Sequence, residues 1–288
     1  MSGFSESRQA LRALLAGQRC VMPASVFDAT SARIAEALGF ESVMLAGSVA
    51  SLAVLGAPDL IVLTLSELAE QVHRICRATQ LPLLVDADHG YGNALNVMRT
   101  VQELEDAGVS ALSIEDTVLP RTYGEAAPSL TSIEEGVGKM RAALAARRDR
   151  ALIIAGRTSA LAITSTDDAV ARAKAYEAAG VDAMFLVGAR SRTQLEAVAS
   201  AIRIPLIVGG AAGELADTNY LAAQRVRVRI PPHQPFMAAV QAVHATLSAM
   251  RQGVPPVPES LASPELMKRV TCDGDYGRWT RDFLGGSS

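Results

Sequence analysis

Acidic residues occur in pairs at two points where a short aliphatic run stops. Asp86 and Asp88 follow one run, and Glu115 and Asp116 follow the next. Residues at alternating positions of a strand point to the same side, so Asp86 and Asp88 are expected to share a face. Clustered carboxylates repel one another unless a positive charge lies among them. Hard divalent cations bind carboxylate oxygens, and Mg²⁺ keeps several waters while taking one or two protein ligands. The two pairs together predict a divalent metal site, whereas loop capping is the alternative for either pair alone.

A basic residue follows a third aliphatic run. Arg157 occurs in the segment Gly156-Arg157-Thr158. A guanidinium group can bind a substrate carboxylate through two parallel hydrogen bonds. The alternative is an ion pair with Glu115 or Asp86, which would give Arg157 a structural role.

Three further candidates follow other strand-like runs or lie in loops. Gly47 and Ser48 form a small-residue turn whose backbone N–H groups could bind an anion, although an ordinary tight turn has the same composition. Asp59 is an additional loop acid, and His233 follows the last strand-like run. A surface position and a catalytic position are both open for His233. Lys139, within a predicted helix, is expected on the surface.

These residues require a scaffold that brings the ends of several strands together. The sequence alternates eight short aliphatic runs with amphipathic helical stretches. The predicted strands cover residues 20–27, 42–46, 83–86, 111–115, 152–155, 183–187, 205–208 and 226–230. The predicted helices cover residues 31–38, 66–78, 94–107, 133–146, 167–179, 191–201, 218–224, 235–251 and 264–270. Ser66 is the expected N-cap of the second of these helices.

Regular alternation of strands and helices implies parallel strands with right-handed crossovers. Eight units in roughly 250 residues is the size of a (β/α)8 TIM barrel, which carries its active site on the loops that follow the strands. A doubly wound open sheet is the alternative, and the lack of a Gly-x-Gly-x-x-Gly turn after the first strand argues against it.

The chain divides by composition into two parts. Residues 1–252 contain the predicted barrel, and residues 253–288 form a C-terminal extension that starts with a proline-rich linker. The extension contains the predicted helix 264–270 and Trp279, the single tryptophan of the chain. An arm that contacts another subunit and an arm that folds back on its own barrel both fit this composition.

Composition and charge exclude several classes of protein. Of the 288 residues, 49% are apolar and 20% are charged, and the formal net charge is −3. That charge offers no basic surface for nucleic acid. No apolar run approaches the roughly 18 residues of a membrane-spanning helix, and we expect neither a membrane partner nor a signal peptide. Three separated cysteines indicate neither a disulfide framework nor a zinc site, which fits the cytoplasm.

A set of motifs, each weak alone, resembles the isocitrate lyase/phosphoenolpyruvate mutase superfamily from about residue 11 to about residue 250. The motifs are Ala46-Gly47-Ser48, Gly56-Ala57-Pro58-Asp59, Asp86-Ala87-Asp88-His89-Gly90-Tyr91-Gly92, Ile114-Glu115-Asp116 and Arg157-Thr158. The resemblance implies a Mg²⁺-dependent (β/α)8 barrel, with Mn²⁺ as an alternative ion, that acts on a 2-oxo acid through an enolate-like intermediate. It also implies a homotetramer whose C-terminal helical arm is swapped between subunits.

The same resemblance assigns roles to individual residues. It implies that Asp86 is the direct Mg²⁺ ligand, and that other acids reach the ion through water, namely Asp59, Asp88 and Glu115. Gly47 and Ser48 would bind the substrate through backbone N–H groups. Arg157 would bind a substrate carboxylate, and His233 would orient the substrate or assist its protonation.

The loop after Glu115 separates the branches of this superfamily. Its lyases carry a catalytic Cys there, whereas this chain reads Leu119-Pro120-Arg121-Thr122-Tyr123-Gly124-Glu125. The residues from Asp86 to Met98, together with His233, resemble the bacterial oxaloacetate decarboxylase branch. We therefore expect decarboxylation of oxaloacetate, or of a related 2-oxo diacid, to pyruvate and CO₂.

The chain departs from that branch in the substrate half of the predicted site. It has Ser159, Leu161 and Gly209-Gly210 where members of the branch carry Asn, Glu and a nearby Tyr. Two alternatives therefore stay open. One is a lyase that cleaves a C–C bond, of the 2-methylisocitrate or dimethylmalate lyase type. The other is a divergent barrel that binds an oxo acid without turnover.

Overall fold

A parallel sheet of eight strands forms the centre of the protein. The computed structural model describes residues 4–255, 257 and 261–285. The strands are β1 (Ala24–Ser25), β2 (Val43–Leu45), β3 (Leu83–Asp86), β4 (Ala111–Glu115), β5 (Ile153–Thr158), β6 (Ala183–Val187), β7 (Leu206–Gly209) and β8 (Val226–Ile230). Each strand pairs in parallel with the next one along the chain.

The two edges of this sheet meet at Val21. Its N–H donates to the carbonyl of Arg227, and its carbonyl accepts from the N–H of Arg229, both at 2.9 Å. The sheet therefore has the strand order and closure of a TIM-barrel-like fold, as predicted. Its strands are aliphatic and almost entirely buried, as expected for a parallel sheet that is covered by helices.

Helices cover the outside of the sheet. They are α1 (Ser5–Ala16), α2 (Ala29–Ala37), α3 (Gly47–Leu55), α4 (Leu65–Cys76), α5 (Ala94–Ala107), α6 (Ile133–Ala146), α7 (Ala160–Ile163), α8 (Thr166–Ala179), α9 (Arg192–Ala201), α10 (Thr218–Ala223), α11 (Gln234–Arg251), α12 (Pro264–Val270) and α13 (Asp273–Leu284). A short 3₁₀ turn, Gly213–Leu215, lies between β7 and α10.

Local sequence signals fix the ends of several helices. Asn93 caps α5 by accepting from the N–H groups of Leu95 and Asn96. Gly108 ends the same helix in the left-handed conformation, with φ of 105°, which glycine adopts at little cost. The predicted cap at Ser66 is wrong, because the cap lies two residues earlier, where Thr64 forms a capping box with Glu67.

The C-terminal helices are largely exposed. Helix α11 buries none of its side chains. Helix α12 packs on α2 of the same chain, where Arg33 Nη1 donates to the carbonyl of the buried Val270 at 3.1 Å. Within the described residues, no helix combines the length and the apolar character that crossing a membrane requires.

Candidate active site

Strand register brings the acidic residues and Arg157 to one face of the sheet. Asp86 pairs with Ser113, and Glu115 pairs with Arg157. Paired residues of neighbouring parallel strands point to the same side, and Ser113 and Glu115 are two residues apart. The side chains of Asp86, Glu115 and Arg157 therefore converge at the carboxyl ends of β3, β4 and β5.

Asp86 is the most heavily contacted of the predicted site residues. Arg157 Nη1 donates to its Oδ2 at 2.5 Å. Its Oδ1 accepts from Ser113 Oγ at 3.3 Å and from the N–H of Asp88 at 3.2 Å. These contacts hold the carboxylate of Asp86 in one orientation at the end of β3.

Arg157 lies between two acids. Besides Asp86, its Nη2 is 3.6 Å from Glu115 Oε2. Burial of Arg157 acts to lower the pKa of its guanidinium group. The neighbouring Asp86 and Glu115 outweigh this effect and raise the pKa. In this structure Arg157 therefore neutralises the acids, which is the alternative that the sequence left open.

Glu115 is held by its own loop. Thr117 Oγ1 donates to Glu115 Oε2 at 2.6 Å, and the N–H of Glu115 donates to the carbonyl of Asp88 at 2.8 Å. Burial raises the pKa of Glu115, while Arg157 acts in the opposite direction. The bond from the N–H of Glu115 to the carbonyl of Asp88 ties the loop after β3 to the end of β4.

Asp88 is buried against the start of helix α3. Its backbone has φ of 47°, in the left-handed region that residues other than glycine rarely adopt. A Cβ on Gly47 would lie 2.5 Å from Asp88 Oδ1, so the carboxylate occupies space that only glycine leaves free. Burial raises the pKa of Asp88 well above its usual value, and Asp86, Asp59 and Glu115 add to the effect.

Gly47 and Ser48 are the first two residues of α3 rather than an isolated turn. The first N–H groups of a helix have no carbonyl partner within that helix, and they lie at its positive end. Ala46 supplies no side-chain cap. The N–H groups of Gly47 and Ser48 are therefore suited to an anion.

Two cavities meet at the acids. The larger has a volume of about 610 Å³ and is lined by Ser48 and His233. The smaller, of about 470 Å³, is lined by Asp88 and Glu115. Both cavities are also lined by Asp59, Asp86 and Arg157.

Asp59 lies at the rim of these cavities. Its pKa is raised by partial burial and by Asp86, with Arg157 opposing the shift. The loop acid predicted from the sequence therefore joins the cluster formed by the strand ends.

His233 lines the larger cavity, immediately before α11. Its Nδ1 is 2.9 Å from Ser25 Oγ, at the end of β1. Burial lowers the pKa of His233, and Asp86 acts in the opposite direction. Burial therefore favours the neutral imidazole, and the hydroxyl group of Ser25 holds the ring.

Asp116 does not join the cluster. It is completely buried behind β4, where its Oδ2 accepts from Arg172 Nη1 at 2.9 Å and from the Tyr176 hydroxyl at 2.7 Å. Of the second acidic pair, Glu115 alone faces the cavities. Asp116 instead anchors α8 to the sheet.

Sequence reasoning missed two residues near the larger cavity. Ser25 orients His233, and Arg190 lines the larger cavity just after β6. Arg190 follows a strand, so the rule that identified the acids could have found it, whereas Ser25 lies within the predicted strand 20–27. The expectation of a surface position for Lys139 is wrong, because the side chain is only 3% exposed.

The acidic cluster fits a divalent cation. Four carboxylates converge, and burial together with their mutual repulsion raises the pKa values of Asp59, Asp88 and Glu115. A cation that is bound largely through water suits this oxygen-only donor set. Among the described residues no three His, Cys, Asp or Glu side chains form a ready-made coordination sphere, and Mg²⁺ needs only one or two protein ligands.

Comparison with known proteins agrees with this geometry. The phosphoenolpyruvate phosphomutase family matches residues 11–251. An oxaloacetate decarboxylase of Rhodopseudomonas palustris strain BisB18 is 61% identical over 279 residues, which are 96% of this chain and 97% of that protein.

Two solved structures superpose over nearly the whole chain. Oxaloacetate acetylhydrolase, in complex with 3,3-difluorooxaloacetate, has a TM-score of 0.86 at 27% identity and covers 99% of both chains. Phosphonopyruvate hydrolase, in complex with oxalate and Mg²⁺, has a TM-score of 0.85 at 30% identity and covers 96% of this chain and 99% of its own. The family match and these similarities show that the chain belongs to the phosphoenolpyruvate phosphomutase family, as its motifs predict.

Proposed function

We propose that this chain catalyses the Mg²⁺-dependent decarboxylation of oxaloacetate to pyruvate and CO₂. The observation that carries the proposal is the convergence of four acids, Ser48 and His233 on adjoining cavities. The 61% identity to an oxaloacetate decarboxylase, over 96% of this chain, supports the choice of substrate.

Asp86 is the proposed direct ligand of the ion. Its fixed orientation at the end of β3 supports this choice. The proposed contacts through water come from Asp59, Asp88 and Glu115, whose pKa values are raised by burial and by neighbouring acids. The Mg²⁺ in the related phosphonopyruvate hydrolase supports magnesium, and Mn²⁺ is the alternative ion.

The reaction breaks the bond between C3 and C4 of the substrate. The C4 carboxylate leaves as CO₂, and the electron pair of the broken bond moves toward the C2 carbonyl oxygen to form an enolate. A proton added at C3 then gives pyruvate. Bound Mg²⁺ supplies Lewis-acid stabilisation of the negative charge that develops during this step.

The remaining residues bind and orient the substrate. The N–H groups of Gly47 and Ser48, at the start of α3, would donate to the C1 carboxylate. Arg157 would bind a carboxylate while still contacting Asp86 and Glu115. His233, held by Ser25, would orient the substrate or pass a proton from water to C3 of the enolate.

The test is release of CO₂ from oxaloacetate by the purified protein, first with Mg²⁺ and then with EDTA. Decarboxylation by the metal alone is subtracted. We expect rapid release that EDTA abolishes. Formation of a pair of carbon products without CO₂ would favour the C–C lyase alternative. Oxaloacetate binding without any turnover would favour the non-catalytic barrel.

We further propose a homotetramer in which residues 253–288 form an arm that packs on its own chain through α12 and also reaches a neighbouring subunit, beside a barrel of residues 1–252. Helix α11 supports an intersubunit role, because it buries no side chain within the chain. Its exposed apolar residues follow a heptad pattern on one side of the helix: Val240, Val243, Leu247 and Met250.

A further inference from the structure

Lys139 is a buried cation directly behind the acidic cluster. It lies on the inner face of α6, and its Nζ donates to the carbonyl of His89 at 3.0 Å. A buried ammonium group is costly unless it is paired and hydrogen-bonded. Burial lowers the pKa of Lys139, while Glu135, Asp116 and Glu115 support its charged form.

The acceptor belongs to the loop that carries Asp88. Left-handed backbone at Asp88, Gly90 and Tyr91, with φ values of 47°, 80° and 61°, folds this loop tightly after β3. Such a conformation persists only where the surrounding structure holds it.

Three consecutive carbonyls of this loop are held from outside it. The N–H of Glu115 donates to Asp88 at 2.8 Å, Lys139 donates to His89, and Thr100 Oγ1 donates to Gly90 at 3.0 Å. These donors come from β4, α6 and α5. Lys139 supplies the charged donor, which forms the stronger kind of hydrogen bond.

The loop in turn presents the Asp88 carboxylate. That carboxylate packs against Gly47, so a small shift of the loop changes its distance from the other acids. The charge of Lys139 also lies near Glu115 and partly compensates the cluster from behind.

We propose that Lys139 is a positioning residue for the divalent cation. Through the carbonyl of His89 it holds the Asp88 carboxylate in place, and through its charge it stabilises the acids. This inference rests on the proposed Mg²⁺ site, and it assigns Lys139 no contact with the ion or with the substrate.

The experiment measures Mg²⁺ binding to wild type, to Lys139→Met and to the matched control Lys174→Met, whose lysine is exposed on α8. Calorimetric titration and the Mg²⁺-induced rise in Tm are both recorded without substrate. We expect Lys139→Met to weaken Mg²⁺ binding by about 10- to 100-fold, while Lys174→Met binds like wild type.

A second variant separates the charge from the hydrogen bond. Lys139→Gln keeps an N–H donor but has no charge. We expect its Mg²⁺ affinity to lie between those of wild type and Lys139→Met. In the activity assay, the Mg²⁺ concentration for half-maximal rate should rise more than the maximal rate falls.

Each other outcome overturns one of the two proposals. If wild type does not bind Mg²⁺, the proposed function fails, and this inference fails with it. If wild type and Lys139→Met bind Mg²⁺ equally, only the role of Lys139 is wrong. If neither Lys139 variant folds in the absence of Mg²⁺, Lys139 is a stability residue and the inference is also overturned.

Discussion

Individual residues of the site are defined by how their charges are compensated. Arg157 contacts both Asp86 and Glu115, whereas Asp59 and Asp88 have raised pKa values. One guanidinium group therefore faces four carboxyl groups and cannot compensate all of them. A divalent cation would complete this compensation, which makes Asp86 the most informative position to change.

Replacing Asp86 with alanine is expected to abolish metal binding without unfolding the protein. The change removes the proposed direct ligand and leaves Arg157 paired with Glu115. We expect Mg²⁺ affinity and decarboxylation to fall by about 100-fold or more, since the loss of a supporting residue alone costs about 10- to 100-fold. Calorimetric Mg²⁺ titration and circular dichroism test the two parts separately.

The exposed acid Asp106 provides the matched control. Asp106→Ala should bind Mg²⁺ like wild type. A folded Asp86→Ala protein that still responds to Mg²⁺ would show that another acid is the direct ligand.

Mg²⁺ affinity is also expected to depend on pH in a stated direction. Burial and neighbouring acids raise the pKa values of Asp88, Glu115 and Asp59 in the metal-free protein. As the pH falls through these raised values, the carboxylates take up protons and lose their attraction for the ion. Affinity should therefore weaken at a higher pH than ordinary carboxyl groups would give.

The same shifts act on the stability of the metal-free protein. A raised pKa in the folded state contributes stability below the unfolded-state value, and that contribution is lost as the pH rises through the folded-state value.

The pH dependence of Mg²⁺ binding is tested by Mg²⁺ titrations from about pH 7.5 to about pH 5. Buffers of different ionisation enthalpy let these titrations measure affinity and proton release together. Constant affinity without proton release across this range would contradict the prediction.

Helix α6 connects the elements behind the site, and two of its glycines have opposite surroundings. A Cβ at Gly136 would collide with the Tyr176 hydroxyl group, which donates to the buried Asp116, whereas a Cβ at Gly138 would meet nothing within 4 Å. Packing against Tyr176 requires glycine at position 136. At position 138 no contact requires glycine, and its low helix propensity destabilises the helix.

We therefore expect opposite changes in stability from two identical substitutions on one helix. Gly138→Ala should raise the free energy of unfolding by about 0.5–1 kcal/mol. Gly136→Ala should lower it by about 1–3 kcal/mol through overpacking against Tyr176. Urea denaturation of both variants measures the difference, and equal stability would show that Tyr176 moves aside freely.

Elements with a strong local signal could be predicted from the sequence. Strands β3, β4, β6 and β8 begin and end where their aliphatic runs do. Helix α3 was missed because its start at Gly47 looks like a turn, and α1 because its apolar residues occur in short pairs. The conformation of these two segments depends on the elements that pack against them.

The candidate site was partly predictable for the same reason. A barrel brings strand ends together, so the position of Asp86 or Glu115 at a strand end was sufficient. The burial of Lys139 and the turning away of Asp116 depend on how α6 and α8 pack behind β4. The spacing of residues along the chain does not predict that packing.

The whole molecule joins a well-packed barrel to C-terminal helices that bury little. Val270 is the buried side chain of α12, and neither α11 nor α13 has one. Large exposed apolar surfaces on soluble proteins commonly mark interfaces. The exposed side of α11 therefore supports the proposed assembly of several copies of the chain.

We expect a mass in solution of four times the 30.2 kDa of one chain. Val243→Glu places a charge in the middle of the apolar side of α11, where Val243 is 58% exposed in the single chain. Burying that charge at an interface would be costly, so the variant should dissociate into smaller species. Gln241→Glu adds the same charge elsewhere on α11 and should keep the wild-type mass. Light scattering at matched concentrations measures all three proteins, and an unchanged mass for Val243→Glu would remove α11 from the interface.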